Sequence, residues 1–402
     1  MKIKYIKMID RHIGWVICVM LNLHYRLIRL LSVAKDESAP KKILIIKFFG
    51  MGSVILTQPA VAVVKGRYPL AKIYFLTFSN NKDILTLFGI IDYKLYVNLR
   101  PLHKFIIDTL RIIIYLRKER IDIVFDLEFF SRFTSIVAYL SGAKCRIEFY
   151  SEVFWRGNLY TCGVKFNPYF HVRKNFLRLV NEGRYGLCEA GMPVIKISHE
   201  LRQHARKILM KHGVSEDDTR VCININAGEL AAERRWPASY FVVLINKLSA
   251  YHIKYLMIGA KYDMIYVDDL ISLLEHHSNI INLTGRLNVI ELAGVLHESS
   301  LLITNDSGPL HLADAIGTPV VAFFGPETPV LYGPKDGHNL VFYKNAMCSP
   351  CLNVLNAKTV ICTTDAQCMR DIKPDDVYKT IVDRYRPIFM PTKDRPNESP
   401  AT

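Results

Sequence analysis

Short apolar runs alternate with helical patterns along nearly the whole chain, and they do so in two separate series. The first series holds "KILIIK", "KIYFLTF", "YKLYVN", "IDIVFDL" and "KCRIEFY". The second holds "RVCININ", "IKYLMIG", "SNIINLTG", "SLLITN" and "PVVAFFG". A strand covered by helices on both faces reads as a continuous apolar run, and the return to a parallel neighbour needs a crossover long enough for a helix. The pattern therefore predicts an α/β protein with two doubly wound, Rossmann-like domains in tandem. A chain of 402 residues also exceeds what one ordinary core holds. The expected division is 1–42 as an amphipathic helix and linker, 43–198 as the first domain, 199–372 as the second, and 373–402 as a last helix and disordered tail. Ligands are expected in the cleft between the domains, at the carboxyl ends of strands.

Half of the residues are hydrophobic and the net charge is +15, which favours anionic partners. No nucleic-acid-binding signature is present, and the aromatic residues are not interleaved with basic stripes. Near the start, "IGWVICVMLNL" is an apolar run of 11 residues, short of the roughly 20 a spanning helix needs. Residues 1–42 carry nine Lys/Arg against three acids. An amphipathic helix over 8–31 fits two roles equally: an anchor lying in an anionic membrane surface, or a helix packed on the body of the protein. Of nine cysteines, Cys348, Cys351, Cys362 and Cys368 cluster. The first pair has metal-ligand spacing, which suits a structural zinc; the other reading is four reduced thiols packed under the last helix.

The segment "LLITNDSGPLHLADAIGTPVVAFFGPETPVLYGP" (301–334) carries the strongest chemical signal. A buried strand ends at Asn305, and Asp306 or Ser307 is placed to cap the next helix. Gly308 lets a ligand approach the backbone, and Pro309 sits early in the helix, where its missing N–H costs little. Such a helix start offers N–H groups and a dipole to phosphate. His311, Gly325 and Thr328 are expected on the same rim.

This segment resembles the signature of the ADP-heptose:lipopolysaccharide heptosyltransferases, glycosyltransferase family nine. Four further segments resemble the family in order: "ILIIKFFGMGSVILTQPAV", "FDLEFFSRFTSIVAYLSGAK", "NINAGELAAERRWPASYFVVLINKL" and "INLTGRLNVIELAGVLHESSLLITNDSG". The resemblance covers about 41–388. The resemblance implies a GT-B fold and an inverting, metal-independent transfer of a heptose or related sugar from a nucleotide donor, ADP-heptose, to lipopolysaccharide core or another surface glycan. It implies work at the cytoplasmic face of the inner membrane on an anionic glycolipid acceptor, with no cofactor beyond the nucleotide-sugar.

On this reading Ser307, Gly308, His311 and Asp306 meet the donor diphosphate, and Arg234 or Arg235 of "ERRWP" neutralises it as it leaves. Asp263, Gly325 and Thr328 serve the donor's nucleoside and sugar. Arg100, Lys104, Arg132, Arg173 and Lys174 are candidates for the acceptor. Gly50 and Gly52 form the first domain's glycine loop, where relatives place a catalytic aspartate next in line. Here that position is Ser53, a poor base, which reads more readily as a cap of the helix that follows. Glu128 and Asp126, at another strand end, are the substitutes; Glu128 is favoured as base and Asp126 as a holder of loop backbone. The loss of the aspartate raises an alternative, a non-catalytic nucleotide-sugar or glycan-binding homologue. A nicotinamide-dependent oxidoreductase is disfavoured, because "GMGSVI" lacks the third glycine of the dinucleotide fingerprint.

Overall fold

A computed structural model of the chain describes residues 3–31, 39–182, 195–228, 232–334, 337–354 and 361–389. The chain divides into two compact units, 1–193 and 194–402. The expected disordered tail and residues 36–38 of the linker 36–42 lie outside the described residues.

The first unit is built on strands β1 (Lys42–Ile46), β2 (Lys72–Phe78), β3 (Tyr93–Val97), β4 (Ile123–Asp126), β5 (Cys145–Tyr150) and β6 (Cys162–Lys165). They form one sheet in the order β3-β2-β1-β4-β5-β6, and every pairing is parallel. The central strands β1 and β4 are buried almost throughout, which is why they read as unbroken apolar runs. On one sheet face, Leu44, Ile46, Leu76 and Val124 pack with Leu116 of helix Leu102–Glu119 and Val137 of helix Arg132–Leu140. On the other, Phe149 packs with Phe129, Phe166 and Phe176, the last from helix Val172–Val180.

The N-terminal helix runs Ile3–Leu31 and lies against helix Arg132–Leu140. Asp10 is the hinge of that contact. Its carboxylate accepts from Ser131 Oγ and from the N–H groups of Arg132 and Phe133, so one helix supplies the cap of another. Cys18 is fully buried with Tyr139 and Leu159, and His24 Nδ1 lies 2.7 Å from the Tyr139 hydroxyl. Gly157 has φ +82°, and a Cβ there would stand 2.7 Å from the Cys18 carbonyl oxygen. The helix therefore packs on the body of its unit along one face, while Val16, Met20, Leu23 and Leu27 remain exposed on the other.

The second unit repeats the plan with β7 (Arg220–Asn224), β8 (Lys254–Met257), β9 (Ile280–Asn282), β10 (Leu301–Asn305), β11 (Val320–Phe324) and β12 (Leu340–Tyr343). The order is β12-β11-β10-β7-β8-β9, again all parallel. Counted from the first strand of each unit, the two sheets have the same strand order, with the order reversing at β1/β4 and at β7/β10. Trp236 anchors the second core: its ring stacks on Phe323 at 4.3 Å, and Nε1–H donates to the Ile372 carbonyl. That bond ties helix Pro374–Arg384 to the sheet.

Two strands have no counterpart in the sequence reading: β6, "CGVK", and β12, "LVFY". Each is four residues long and closes a sheet edge, where no second neighbour demands a long apolar run.

Candidate functional site

In the second unit, the reversal of strand order brings the ends of β7 and β10 together, and most of the candidate donor residues lie there. Helix Gly308–Ile316 starts at this edge with Ser307 in the cap position. The Ser307 side chain makes no cap bond. Its hydroxyl is turned inward, 2.9 Å from Asn224 Nδ2 and 3.0 Å from Thr304 Oγ1. Asn224 Nδ2 also donates to Thr304 Oγ1, and Thr304 donates to the Asn305 carbonyl. The buried side chains thus fix the direction of the helix start and leave its first-turn N–H groups without a Ser307 cap.

Asp306 lies beside this start. One carboxylate oxygen is 3.3 Å from Arg234 Nη1 and the other 3.9 Å from His311 Nε2. Arg234 also donates to the carbonyls of Asp306 and Ala227, so it staples the loop after β7 to the loop after β10. Arg235 points elsewhere: its guanidinium lies over the Tyr266 ring at 4.7 Å, and its Nε is buried with no hydrogen-bond partner. The adjacent Trp236 N–H donates to Asn305 Oδ1, and Asn305 Nδ2 donates back to the Ile225 carbonyl. The two arginines that the sequence leaves interchangeable have different surroundings: Arg234 is bonded to Asp306 and Ala227, whereas Arg235 stacks on Tyr266.

The sequence reading missed the neighbouring group. Asn226 is 3 % exposed and Thr284 1 %, yet the Asn226 amide nitrogen and oxygen and the Thr284 hydroxyl have no hydrogen-bond partner. Burying such groups unpaired costs about 1–3 kcal/mol each. A Cβ on Gly259 would come within 2.8 Å of Asn226 Nδ2 and 3.0 Å of Thr284 Cγ2. The ends of β7 and β9 therefore present unsatisfied polar groups around Gly259, a position at the end of β8 kept bare by glycine. Asp263 adjoins them, its carboxylate accepting from the Ala260 N–H.

Gly325 and Thr328 are committed to the fold. A Cβ on Gly325 would lie 2.4 Å from Met369 Sδ and 2.9 Å from Cys368 Sγ, so glycine there admits the C-terminal segment. Thr328 Oγ1 accepts from the Val330 N–H and caps helix Pro329–Tyr332. Cys348, Cys351, Cys362 and Cys368 are free thiols. Burial, with added charge from the other three, pushes Cys368 up to about 11. The Ala366 N–H lowers Cys362. Among the described residues no group of three or more His, Cys, Asp or Glu side chains is arranged to hold a metal ion.

In the first unit, the glycine loop follows β1. Gly50, at φ +82°, is the cap position of helix Met51–Ile55. Ser53 therefore lies inside the helix, which corrects its reading as the cap. Glu128 is wholly engaged. Oε1 is 2.7 Å from Lys47 Nζ and accepts from the Phe129 N–H; Oε2 accepts from the N–H groups of Phe48 and Phe49. Lys47 and Glu128 side chains are almost fully buried. Asp126 Oδ1 accepts from the Glu128 N–H. Burial, then the charge of Glu148, pushes the Asp126 carboxyl up to about 8, against the opposing pull of Arg156. Arg156 pairs with Glu148 at 2.7 Å, and Ser135 Oγ donates to the same carboxylate.

The candidate acceptor residues do not form one cluster. Arg100 and Lys104 stand at the start of helix Leu102–Glu119, whereas Arg173 and Lys174 start helix Val172–Val180 on the opposite sheet face. Arg132 lies beneath the N-terminal helix, its Cβ 3.0 Å from where a Gly14 Cβ would stand.

Residues 162–361 match the family described as glycosyltransferase family 9 (heptosyltransferase). A lipooligosaccharide heptosyltransferase 2 of Campylobacter jejuni subsp. jejuni serotype O:6 is 29 % identical over 163 residues, 40 % of this chain and 50 % of the relative. The chain thus spans about half the length of that curated relative. Among solved structures, a family 9 glycosyl transferase of Veillonella parvula DSM 2008 superposes with a TM-score of 0.72 at 24 % identity, over 86 % of this chain and 97 % of that one. The ADP-heptose lps heptosyltransferase II of E. coli superposes with a TM-score of 0.69 at 18 % identity, over 85 % and 98 %. The fold expected from the sequence, GT-B with two doubly wound α/β units, is the fold of these structures.

Proposed function

Because the chain belongs to glycosyltransferase family 9, we propose that it moves a heptose or related sugar from a nucleotide donor, ADP-linked, to lipopolysaccharide core or another surface glycan. The observation that carries this reading is the β7/β10 switch point. An uncapped helix start, Arg235 and the partnerless Asn226 and Thr284 lie at neighbouring strand ends of one sheet. The first-turn N–H groups at Gly308 and Leu310 and the Arg235 guanidinium receive the diphosphate. As the bond from the anomeric carbon to the diphosphate oxygen breaks, charge grows on that oxygen, and these donors hold it more tightly than in the ground state. Asn226, Thr284 and Asp263 take the nucleoside, whose polar groups supply the missing partners. This neutralisation needs no metal.

The acceptor hydroxyl attacks the face opposite the leaving group, which inverts the anomeric centre. Ser53, half-buried in the helix that follows Gly50, orients that hydroxyl. Glu128, its oxygens filled by Lys47 and three N–H groups, positions the loop. Asp126, its carboxyl raised by burial and by Glu148, accepts from the Glu128 N–H and supports the loop after β4. The acceptor's proton passes to water or to the departing diphosphate as the new bond forms, so the reaction is driven from the leaving-group side. The chain works as a peripheral protein on the cytoplasmic face of the membrane, held there in part by its N-terminal helix.

The test offers the purified chain ADP-, GDP- and UDP-sugars with a lipid-linked core acceptor, with and without EDTA. Released ADP and a product of inverted anomeric configuration are expected in both conditions. Tight nucleotide binding with no release would leave the second reading, a binding homologue, which the exchange of the usual aspartate for Ser53 favours.

A further inference from the structure

Two helices of the first unit are apolar on both sides. Helix Leu102–Glu119 buries Leu116 and packs Phe105, Ile112 and Ile113 on the core. Its opposite face exposes Leu102, Ile106, Ile107, Leu110 and Ile114, the last by 56 %. The N-terminal helix buries Cys18 with Leu21 and Tyr25 against it, and its outer face exposes Ile13, Val16, Met20, Leu23 and Leu27, the last by 65 %. An all-round apolar helix is normally covered on every side. Both helices contact helix Arg132–Leu140, which shares its core cluster with helix Leu102–Glu119.

The charges name the cover. Arg11, Arg26, Lys104, Arg111 and Lys118 are exposed on these two helices. The acids of the same segments are turned into the fold: Asp10 caps helix Arg132–Leu140, Asp108 accepts from Asn98, and Glu119 pairs with Lys42. A second copy docked by a two-fold axis would set these basic residues against themselves. An anionic leaflet offers the opposite charge and an apolar layer beneath it. No helix among the described residues is long and apolar enough to cross a membrane, so the pair would lie in the interface.

We propose that helix Leu102–Glu119 and the N-terminal helix together form one docking face for an anionic lipid leaflet, the second helix fixing the orientation that a single anchor leaves free. This deepens the peripheral reading above and rests on it. Because the test below uses vesicles alone, its outcome is separable from that of sugar transfer.

The full chain is sedimented with phosphatidylcholine vesicles and with vesicles containing phosphatidylglycerol. Binding to the anionic vesicles, weakened by salt, is expected. Ile106→Gln, Leu110→Gln and Ile114→Gln combined, or Val16→Gln with Leu23→Gln, should each lower it at least about tenfold, since apolar area is lost from the leaflet. Arg111→Glu with Lys118→Glu leaves the apolar face intact and should lower binding at least about fivefold per charge. ADP binding and thermal melting should not change. If the Leu102–Glu119 variants bind as the unaltered chain does, the N-terminal helix acts alone and the proposal falls. If vesicles are ignored while light scattering finds a dimer that the same substitutions dissociate, the face belongs to a second copy and the proposal also falls.

Discussion

Asn224 Nδ2 stands 2.9 Å from Ser307 Oγ, at the point where β7 and β10 diverge. The Thr304 hydroxyl spends its proton on the Asn305 carbonyl. Ser307, 3.0 Å from it, is then the donor to Thr304 and the acceptor from Asn224. That leaves the Ser307 hydroxyl no proton for a phosphate. Ser307→Ala should therefore cost about 1 kcal/mol of stability and change ADP affinity less than threefold or so. Asn224→Ala frees the helix start and should weaken ADP binding by about tenfold. Thermal unfolding and titration calorimetry measure both.

Removing Asn226 or Thr284 should reverse the usual penalty for buried polar groups. Neither has a partner to orphan, so Asn226→Ala and Thr284→Val should leave the apo protein as stable or stabilise it by up to about 1 kcal/mol. ADP affinity should fall by about tenfold for each. Melting with and without ADP separates the two effects.

Arg234 and Arg235 should part company in the same assay. Arg234 is bound to Asp306 and Ala227, so Arg234→Ala should lower stability by about 2–3 kcal/mol. Arg235→Ala should leave stability nearly unchanged and lower kcat by roughly a hundredfold, since it removes charge stabilisation that grows as the diphosphate leaves. Arg235→Lys should recover only part of that, lacking the planar fork and the stacking on Tyr266.

Asp126 makes stability depend on pH in the less common direction. Its folded carboxyl is raised from 3.8 to about 8 by burial and by Glu148, so the folded state holds a proton that the unfolded state has released. Stability should fall as pH rises from about 4 to 8, by an order of a few kcal/mol. Asp126→Asn should flatten that slope in urea unfolding followed across the range.

The sequence makes the scaffold readable because burial on both faces forces uninterrupted apolar runs in β1, β4, β7, β10 and β11. The edge strands β6 and β12 escape because four residues beside one neighbour need no such run. The phosphate-type helix start is visible as well, since Ser307, Gly308 and Pro309 are each chosen by local backbone demands. Asn226 and Thr284 are not. In "NIN" and "NLTG" they look like turn residues, and their significance lies in what fails to touch them, which only three dimensions reveal. The difference between Arg234 and Arg235 has the same origin, for adjacent residues of one type are told apart by where their side chains go.

The glycine loop of the first unit has a consequence for how many nucleotides this chain can hold. Both sheets share one strand order, so each offers an equivalent socket where the order reverses. In the second unit the helix start there is left for an outside anion. In the first, the N–H groups of Phe48, Phe49 and Phe129 already receive a carboxylate, that of Glu128, with Lys47 as its counter-ion. The anion is built into the polypeptide. If the second unit binds the donor as proposed, the repeated scaffold is thereby single-valent for it, because the first unit's own socket is filled by its own carboxylate.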